Sequence, residues 1–259
     1  MYLYVDSDTW VHRLHPLVRL LGMAAVFVSA FVAERPLGQL PILALLAVLL
    51  RWTGALGNIY RLRHLFVLIF VMTTLIWTLF YGPDGAPPLL AWGPITVSRT
   101  APWFALGMGL KLDAFLASGI LFLSVTRIEE FAYALTRLGL PYKVGFAMTM
   151  AFRLVPVFVD AALNVVQAQR CRGLDFERGN LWVRALRYVP VMVPVFMGAL
   201  RRADQMAMTL DARGFQTRAP RTVLEPYTTS PVDALVTLAL LGGVTVYLWL
   251  WMHGSLALR

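Results

Sequence analysis

The sequence predicts an all-α integral membrane protein, a helical transmembrane bundle of about five spans with long amphipathic helices on the cytoplasmic side. Three observations carry that expectation. Apolar residues make up 59% of the 259-residue chain and charged residues only 14%, against about a quarter charged in a soluble domain. Mean hydropathy is +0.67. The apolar runs are broken by Pro and Gly and do not alternate with polar residues, which favours helices over a β-barrel.

Residues 1–19 form a polar lead with His12, Arg13, His15 and Arg19. His12 and His15 stand three apart, so a metal reading is open, but no third ligand is near and Pro16 interrupts a helix. An interfacial N-terminal segment is the alternative. Residues 17–33 are the first apolar run, and 37–50 follow after Glu34, Arg35 and Pro36. Both are at or below the ~20 residues that cross a bilayer, so a tight helical hairpin fits them. A secretory leader competes, because Val28, Ser29 and Ala30 resemble a cleavage site; the long lead and the second run immediately behind speak against it.

Residues 51–64 read as a basic connector, with Arg51, Arg61, Arg63 and His64, and 65–81 as the third span. Residues 82–102 hold Pro83, Gly85, Pro87, Pro88, Gly93 and Pro94, the composition of a turn-filled loop. Trp92 and Trp103 suit a membrane interface. Residues 103–125 are the fourth span, with Lys111 and Asp113 inside it. An ionisable pair in a span is costly, and two residues apart they do not face each other. Each therefore needs its own neighbour, and both a structural pairing and a place in a transport pathway stay open.

From 127 to 227 charges cut the apolar runs at short intervals. Six residues separate Arg153 from Asp160 and thirteen separate Arg187 from Arg201, the latter about 20 Å of helix. Neither window is expected to span. Arg153, Asp160, Asn164, Gln167 and Cys171 step by 7, 4, 3 and 4, a single polar stripe on one helix face. Such a helix lies at the interface or packs on a partner. Pro156, Pro190 and Pro194 are expected to kink these helices. Residues 232–252 form the closing span.

The expected organisation is N-terminal transmembrane helices at 1–126, a cytoplasmic helical region at 127–227 and a C-terminal transmembrane helix at 228–259. With the N-terminus inside, the lead, the 51–64 connector and the 127–227 region hold 19 of the 23 basic residues, a strong positive-inside bias. The net charge of +9 is therefore a statement about topology and not about nucleic acid.

Several chemistries are missing from the sequence. No Gly-Lys dipeptide occurs, so there is no phosphate-cradling Walker loop. No Gly-x-Ser-x-Gly elbow or His-Glu-x-x-His pair occurs either. Cys171 is the only cysteine, which excludes an intramolecular disulfide and a multi-cysteine metal site. Neither a catalytic residue nor a resident metal or cofactor is expected.

The most informative feature is a repeat. Residues 168–173 (Ala-Gln-Arg-Cys-Arg-Gly) are answered by 210–215 (Leu-Asp-Ala-Arg-Gly-Phe); Arg213 stands 41 positions after Arg172, and Gly214 matches Gly173 and Ala203 matches Ala162 in the same register. Arg near a helix end complements the negative pole, and Gly just beyond is the favoured left-handed cap. Repetition on two helices adds a docking role compatible with that one: glycine ends the helix so that arginine projects. A guanidinium offers five planar donors that lysine cannot copy, and the small Cys171 or Ala212 beside it lets the tip enter a groove.

The chain resembles the transmembrane (T) component of energy-coupling factor transporters, the EcfT/CbiQ-type family of cobalt and vitamin uptake. The likeness begins at residues 12–20 (His-Arg-Leu-His-Pro-Leu-Val-Arg-Leu) and continues at 126–130 (Thr-Arg-Ile-Glu-Glu) and 138–141 (Leu-Gly-Leu-Pro). It is densest at Arg153 to Pro156, Asp160, residues 168–173, residues 200–204 (Leu-Arg-Arg-Ala-Asp) and 211–215. Cys171 stands where the family's first motif usually has Ala, and Asp160 where Glu is common; both are small steps.

The resemblance implies a scaffold without catalysis of its own. It would hold a small substrate-binding membrane subunit and a pair of cytoplasmic ATP-binding-cassette ATPases, and the ATP and Mg would belong to those ATPases. Cys171, Arg172, Gly173, Ala212, Arg213 and Gly214 would enter the ATPase grooves, with Arg153, Pro156, Asp160, Arg202 and Asp204 as helix support. The apolar faces at 147–159 and 189–200, with Met150 and Val193, would carry the substrate-binding subunit. The cargo would be a vitamin or transition-metal ion, and the location the bacterial or archaeal cytoplasmic (inner) membrane. The competing reading is a self-sufficient secondary transporter or channel using Lys111 and Asp113, which needs broken helices in paired halves. A membrane-assembly scaffold without transport is a third.

Overall fold

The computed structural model describes residues 4, 5, 7, 9–81, 88–92, 95–176, 180–215 and 229–253. The chain divides into two compact units, Met1–Leu140 with Tyr227–Arg259, and Pro141–Pro226.

The first unit contains α1 (Trp10–Arg13), α2 (Pro16–Val32), α3 (Pro36–Trp52), α4 (Leu56–Phe80), β1 (Pro88–Trp92), β2 (Ile95–Ser98), α5 (Ala101–Val125), α6 (Ile128–Arg137) and, from the far end of the chain, α10 (Pro231–Met252). Proline opens α2, α3 and α10, where its missing N–H costs no helical hydrogen bond. At the start of α10 the Ser230 hydroxyl accepts from the Val232 N–H at 3.4 Å, and Asp233 reaches back to the Ser230 N–H at 2.7 Å, a capping box.

α5 is the centre of this unit, packing against α2, α3 and α4. The core is Ala30, Ile42, Leu46, Leu50, Ala55, Ala114 and Ala117, small residues on α5 facing larger ones on α3. Two glycines let α5 come close to its neighbours. A Cβ on Gly107 would lie 2.4 Å from the Glu34 carbonyl, and one on Gly109 would lie 2.7 Å from Thr74 Oγ1. Small residues at helix contacts are how membrane helices pack when lipid is as apolar as leucine.

The turn between α2 and α3 is held by side chains. Gln39 Nε2 donates to the carbonyls of Ala30 and Ala33 at 2.8 and 2.6 Å. Lys111 Nζ donates to the carbonyl of Phe31 at 2.8 Å. The last turn of a helix leaves carbonyls without partners, and here two neighbouring helices supply the donors.

Three expectations are corrected. The basic connector is much shorter than 51–64: α3 runs to Trp52 and α4 starts at Leu56, so Arg61, Arg63 and His64 lie on a helix. Arginine is a good helix former, and its long stem lets the charge reach water from a membrane helix. The loop at 82–102 contains an antiparallel strand pair, with Trp92 opposite Ile95 and Ala91 opposite Thr96; Gly82, Pro83, Gly85, Pro87, Gly93 and Pro94 lie outside the described residues. Pro190 sits in the first turn of a helix and opens it, so it is not an interior kink; Pro156 and Pro194 do lie inside helices.

The second unit holds α7 (Tyr142–Cys171), α8 (Leu181–Arg187) and α9 (Val189–Ala212). Ring contacts fix how α7 and α9 run. Phe215, just past the end of α9, packs 4.6 Å from Phe146 in the second turn of α7. Tyr188, at the start of α9, packs 5.0 Å from Phe176, just past the end of α7. The two helices are therefore antiparallel.

Five helical stretches are long and apolar enough to cross a membrane: Leu56–Phe80, Ala101–Val125, Tyr142–Cys171, Trp182–Ala212 and Pro231–Met252. The number matches the expectation and the membership does not. α2 and α3, expected as spans, are 17 residues each. The helices of the second unit, expected to be too charged to cross, meet the length and composition of a span, because each keeps a long stretch with few charges; in α9 every charge lies after Leu200.

Candidate functional site

Both arginine-glycine tips end their helices by one geometry. At the end of α7, Gly173 N–H donates to the Arg170 carbonyl at 2.9 Å and Leu174 N–H to the Gln169 carbonyl at 3.0 Å. At the end of α9, Gly214 N–H donates to the Asp211 carbonyl at 2.9 Å and Phe215 N–H to the Leu210 carbonyl at 3.0 Å. This paired pattern is the Schellman cap, and it needs a left-handed residue: φ is +85° at Gly173 and +71° at Gly214. The end of α6 has the same bonds, with Gly139 at +110°, but Leu138 precedes that glycine. Among the described residues the cap is thus common to three helices, and a cap-position arginine next to it marks two of them.

Cys171, Arg172, Gly173, Ala212 and Arg213 are exposed, and Gly214 is half-buried. Neither the Arg172 nor the Arg213 guanidinium makes a hydrogen bond or ion pair among the described residues. The antiparallel arrangement puts the tips at opposite ends of the pair. The 30 residues of α7 set their separation at about 45 Å, at 1.5 Å per residue.

The other expected residues divide. Asp160 of α7 and Arg202 of α9 line one groove of about 420 Å³, with Asn164, Gly198 and Ala199. Part of the polar stripe on α7 therefore faces α9. Arg153, Pro156 and Asp204 are exposed outside that groove, Val193 is 60% exposed and Met150 is half-buried.

A second cluster gathers the N-terminal stretch and residues 126–130. Arg19 Nη1 donates to Glu130 Oε2 at 2.6 Å and to the Val125 carbonyl at 2.9 Å, and its Nε to the Leu14 carbonyl at 2.9 Å. Its Nη2 donates to the His12 carbonyl. Glu130 Oε2 also accepts the Arg127 N–H at 3.0 Å, capping α6. One buried guanidinium thus ties the lead, α2 and the α5–α6 junction together. The motif residues were visible in the sequence; their meeting across 111 positions was not.

The histidines of the lead are structural. His12 Nδ1 meets Thr9 Oγ1 at 2.7 Å and Nε2 meets the Val5 carbonyl at 3.1 Å, so both ring nitrogens are engaged. His15 Nδ1 accepts the Leu17 N–H at 3.2 Å as the N-cap of α2. Burial pushes both histidines below their ordinary pKa. No group of three metal-ligating side chains exists among the described residues, so the metal reading of this pair has no third ligand to stand on.

Lys111 and Asp113 part company. Lys111 caps α2 and lies 5.5 Å from the Phe31 ring. Asp113 Oδ1 is buried with no hydrogen-bond partner among the described residues. The geometry does not join the two in one pathway.

Comparison with known proteins agrees in one direction. The family described as cobalt transport protein (CbiQ) matches residues 7–224. The energy-coupling factor transporter transmembrane protein EcfT of Clostridium kluyveri is 30% identical over 249 residues, covering 92% of this chain and 91% of that protein. The protein of the same name from Heliobacterium modesticaldum is 30% identical over 269 residues, covering 96% and 95%. The one from Thermotoga maritima is 29% identical over 255 residues, covering 95% and 92%.

Proposed function

The chain belongs to the CbiQ/EcfT family of transmembrane components of energy-coupling factor transporters, a multi-pass membrane protein, and on that premise we propose that it is the scaffold of an ATP-driven importer. It ties two cytoplasmic ABC-type ATPases to a small membrane subunit that binds the cargo, a vitamin or transition-metal ion. It holds no cofactor and hydrolyses nothing; ATP and Mg belong to the ATPases.

The observation that carries this reading is the pair of matching tips. Arg172 and Arg213 each stand at the end of a rigid helix, on the same cap, with no partner among the described residues, and about 45 Å apart by the length of α7. That spacing suits one groove on each of two ATPases better than two sites on one. A helix is stiff along its axis, so movement of an ATPase at one tip is transmitted along α7 or α9. Arg153, Pro156, Asp160, Arg202 and Asp204 support those helices, and the apolar faces around Met150 and Val193 carry the cargo-binding subunit.

The reading places residues 127–227 on the cytoplasmic side, between the transmembrane helices of 1–126 and 228–259, with the N-terminus inside and the chain in the bacterial or archaeal inner membrane. Length and composition would let α7 and α9 cross, but Arg153 and Asp160 are exposed in the middle of α7, as are Arg201, Arg202 and Asp204 in α9. A charge at the bilayer centre costs about 2.5–3.5 kcal/mol, so a position at the membrane surface is favoured. The positive-inside bias supports the same side.

Co-purification of the ATPases with Arg172→Glu and Arg213→Glu variants, together with uptake of cargo, tests the proposal. Weakened capture and loss of uptake are expected in each variant, and normal assembly with normal uptake overturns it.

A further inference from the structure

We propose that the open cavity bounded by the start of α2, the end of α6 and the first turns of α10 binds an anionic phospholipid by its phosphate. The cavity is large, about 1160 Å³, enough for a headgroup and the first part of an acyl chain.

Its position comes first. α2 and α10 begin side by side here, with the His15 N–H donating to Asp233 Oδ1 at 2.9 Å. Both run on from this point as apolar helices. The cavity therefore sits where the hydrocarbon-facing part of the bundle starts, at the depth of lipid headgroups. Its lining is amphipathic in the same sense: Arg137, Thr229 and Ser230 are polar, and Leu17, Ala234 and Leu238 are apolar. Leu238, two turns into α10, is 71% exposed. A free phosphate has no use for that wall; a lipid does.

The charges favour an anion. Arg137 is held by Tyr133, whose hydroxyl accepts from Nε at 2.9 Å and whose ring lies 5.3 Å from the guanidinium. Its terminal nitrogens have no partner among the described residues, and two N–H groups in a fixed fork match a phosphodiester. Asp233 also lines the cavity but is 5% exposed. Its two oxygens already take the His15 and Ser230 amides. The Val232 and Asp233 amides at the start of α10 already donate to the Ser230 hydroxyl and carbonyl, so the helix end is not the anion's donor. Burial holds His15 toward its neutral form, which leaves Arg137 as the exposed charge of the lining.

The test uses the full-length chain purified in detergent, with its thermal unfolding midpoint measured on adding phosphatidylglycerol, phosphatidylcholine or inorganic phosphate. Phosphatidylglycerol should raise the midpoint by several degrees more than phosphatidylcholine, and phosphate should not move it. In Arg137→Gln that difference should vanish. Ala234→Trp, on an exposed wall of the cavity, should abolish it without touching the core, and it keeps the test decisive if Arg137→Gln does not fold. An undiminished phosphatidylglycerol effect in either folded variant overturns the proposal. So does an equal response to both lipids, and so does a phosphate shift as large as the lipid one, which would assign the cavity to a free anion.

Discussion

Lys111 Nζ lies 2.8 Å from the carbonyl oxygen of Phe31, so a lysine of α5 closes the end of another helix. The contact has the sign the helix requires, a cation at the negative pole of α2. It gives this residue a structural role to set against the ion-pathway alternative, which used Lys111 and Asp113. Lys111→Met should cost about 1–3 kcal/mol, the range for a buried group left without its partner. The measurement is thermal unfolding in detergent beside uptake per folded molecule. A structural lysine predicts lower stability with uptake per molecule preserved; a pathway lysine predicts the reverse.

Arg19 and Glu130 form the other buried link, with side chains 6% and 14% exposed. Removing one partner of such a pair strands the other, at about 3–5 kcal/mol. Arg19→Ala should reach that range, because it also strands the carbonyls of His12, Leu14 and Val125. Glu130→Gln should cost less, since Arg19 keeps those three acceptors and Gln can still cap α6 through its own oxygen. Unfolding of both single variants and the double variant measures the coupling, and near-zero coupling would contradict the latch.

Much of this fold was legible because proline and glycine punctuate it. Pro16, Pro36 and Pro231 place three helix starts within one residue of the expected runs, and the glycines after Arg172 and Arg213 place two ends. What escaped depends on distant partners. The extension of α4 through Arg61 and Arg63 follows from packing against α5 and from Asn58 bonding Ser124 at 2.8 Å, which no local pattern encodes. The opposite placement of the two tips rests on Phe146 meeting Phe215, 69 positions apart in the chain. The repeat by itself carries no direction in space.

The lead should respond to acid. His12 and His15 both lie below the ordinary 6.5, chiefly through burial. The unfolded chain therefore takes up protons before the folded one does. Their contribution is complete above about pH 6.5 and is lost as pH falls through the lowered folded values. Protonating His15 Nδ1 would also remove the acceptor of the Leu17 N–H. The unfolding midpoint should drop between pH 7 and pH 5. His15→Asn, which keeps an N-cap acceptor without a titrating ring, should flatten part of that drop; an identical pH profile would show that His15 has no share in it.

The caps can be separated from the arginines they present. A Cβ at Gly173 meets nothing within 4 Å, so Gly173→Ala carries only the cost of φ +85°, about 1–2 kcal/mol. That cost is local and should fray the last turn of α7. On the proposed reading, ATPase capture weakens although Arg172 is unchanged, and Gly173→Asn, which tolerates the left-handed region better, loses less. Equal capture by all three would mean that the cap does not position the arginine.

The separation of the tips makes the last prediction quantitative. Two contacts about 45 Å apart on opposite ends of one helix pair cannot share an ATPase groove, so each should act on its own subunit. Arg172→Glu alone should then leave the Arg213 tip able to hold an ATPase, and the converse variant should behave alike. Each should retain roughly half of the ATPase seen with the native chain when the ATPases are kept apart as monomers, and the double variant should retain none. ATPases that dimerise in ATP would mask this by carrying each other, so capture without nucleotide is the discriminating condition. Single variants that lose all of the ATPase would instead mean that both tips close on one site, and the antiparallel spacing would have no part in assembly.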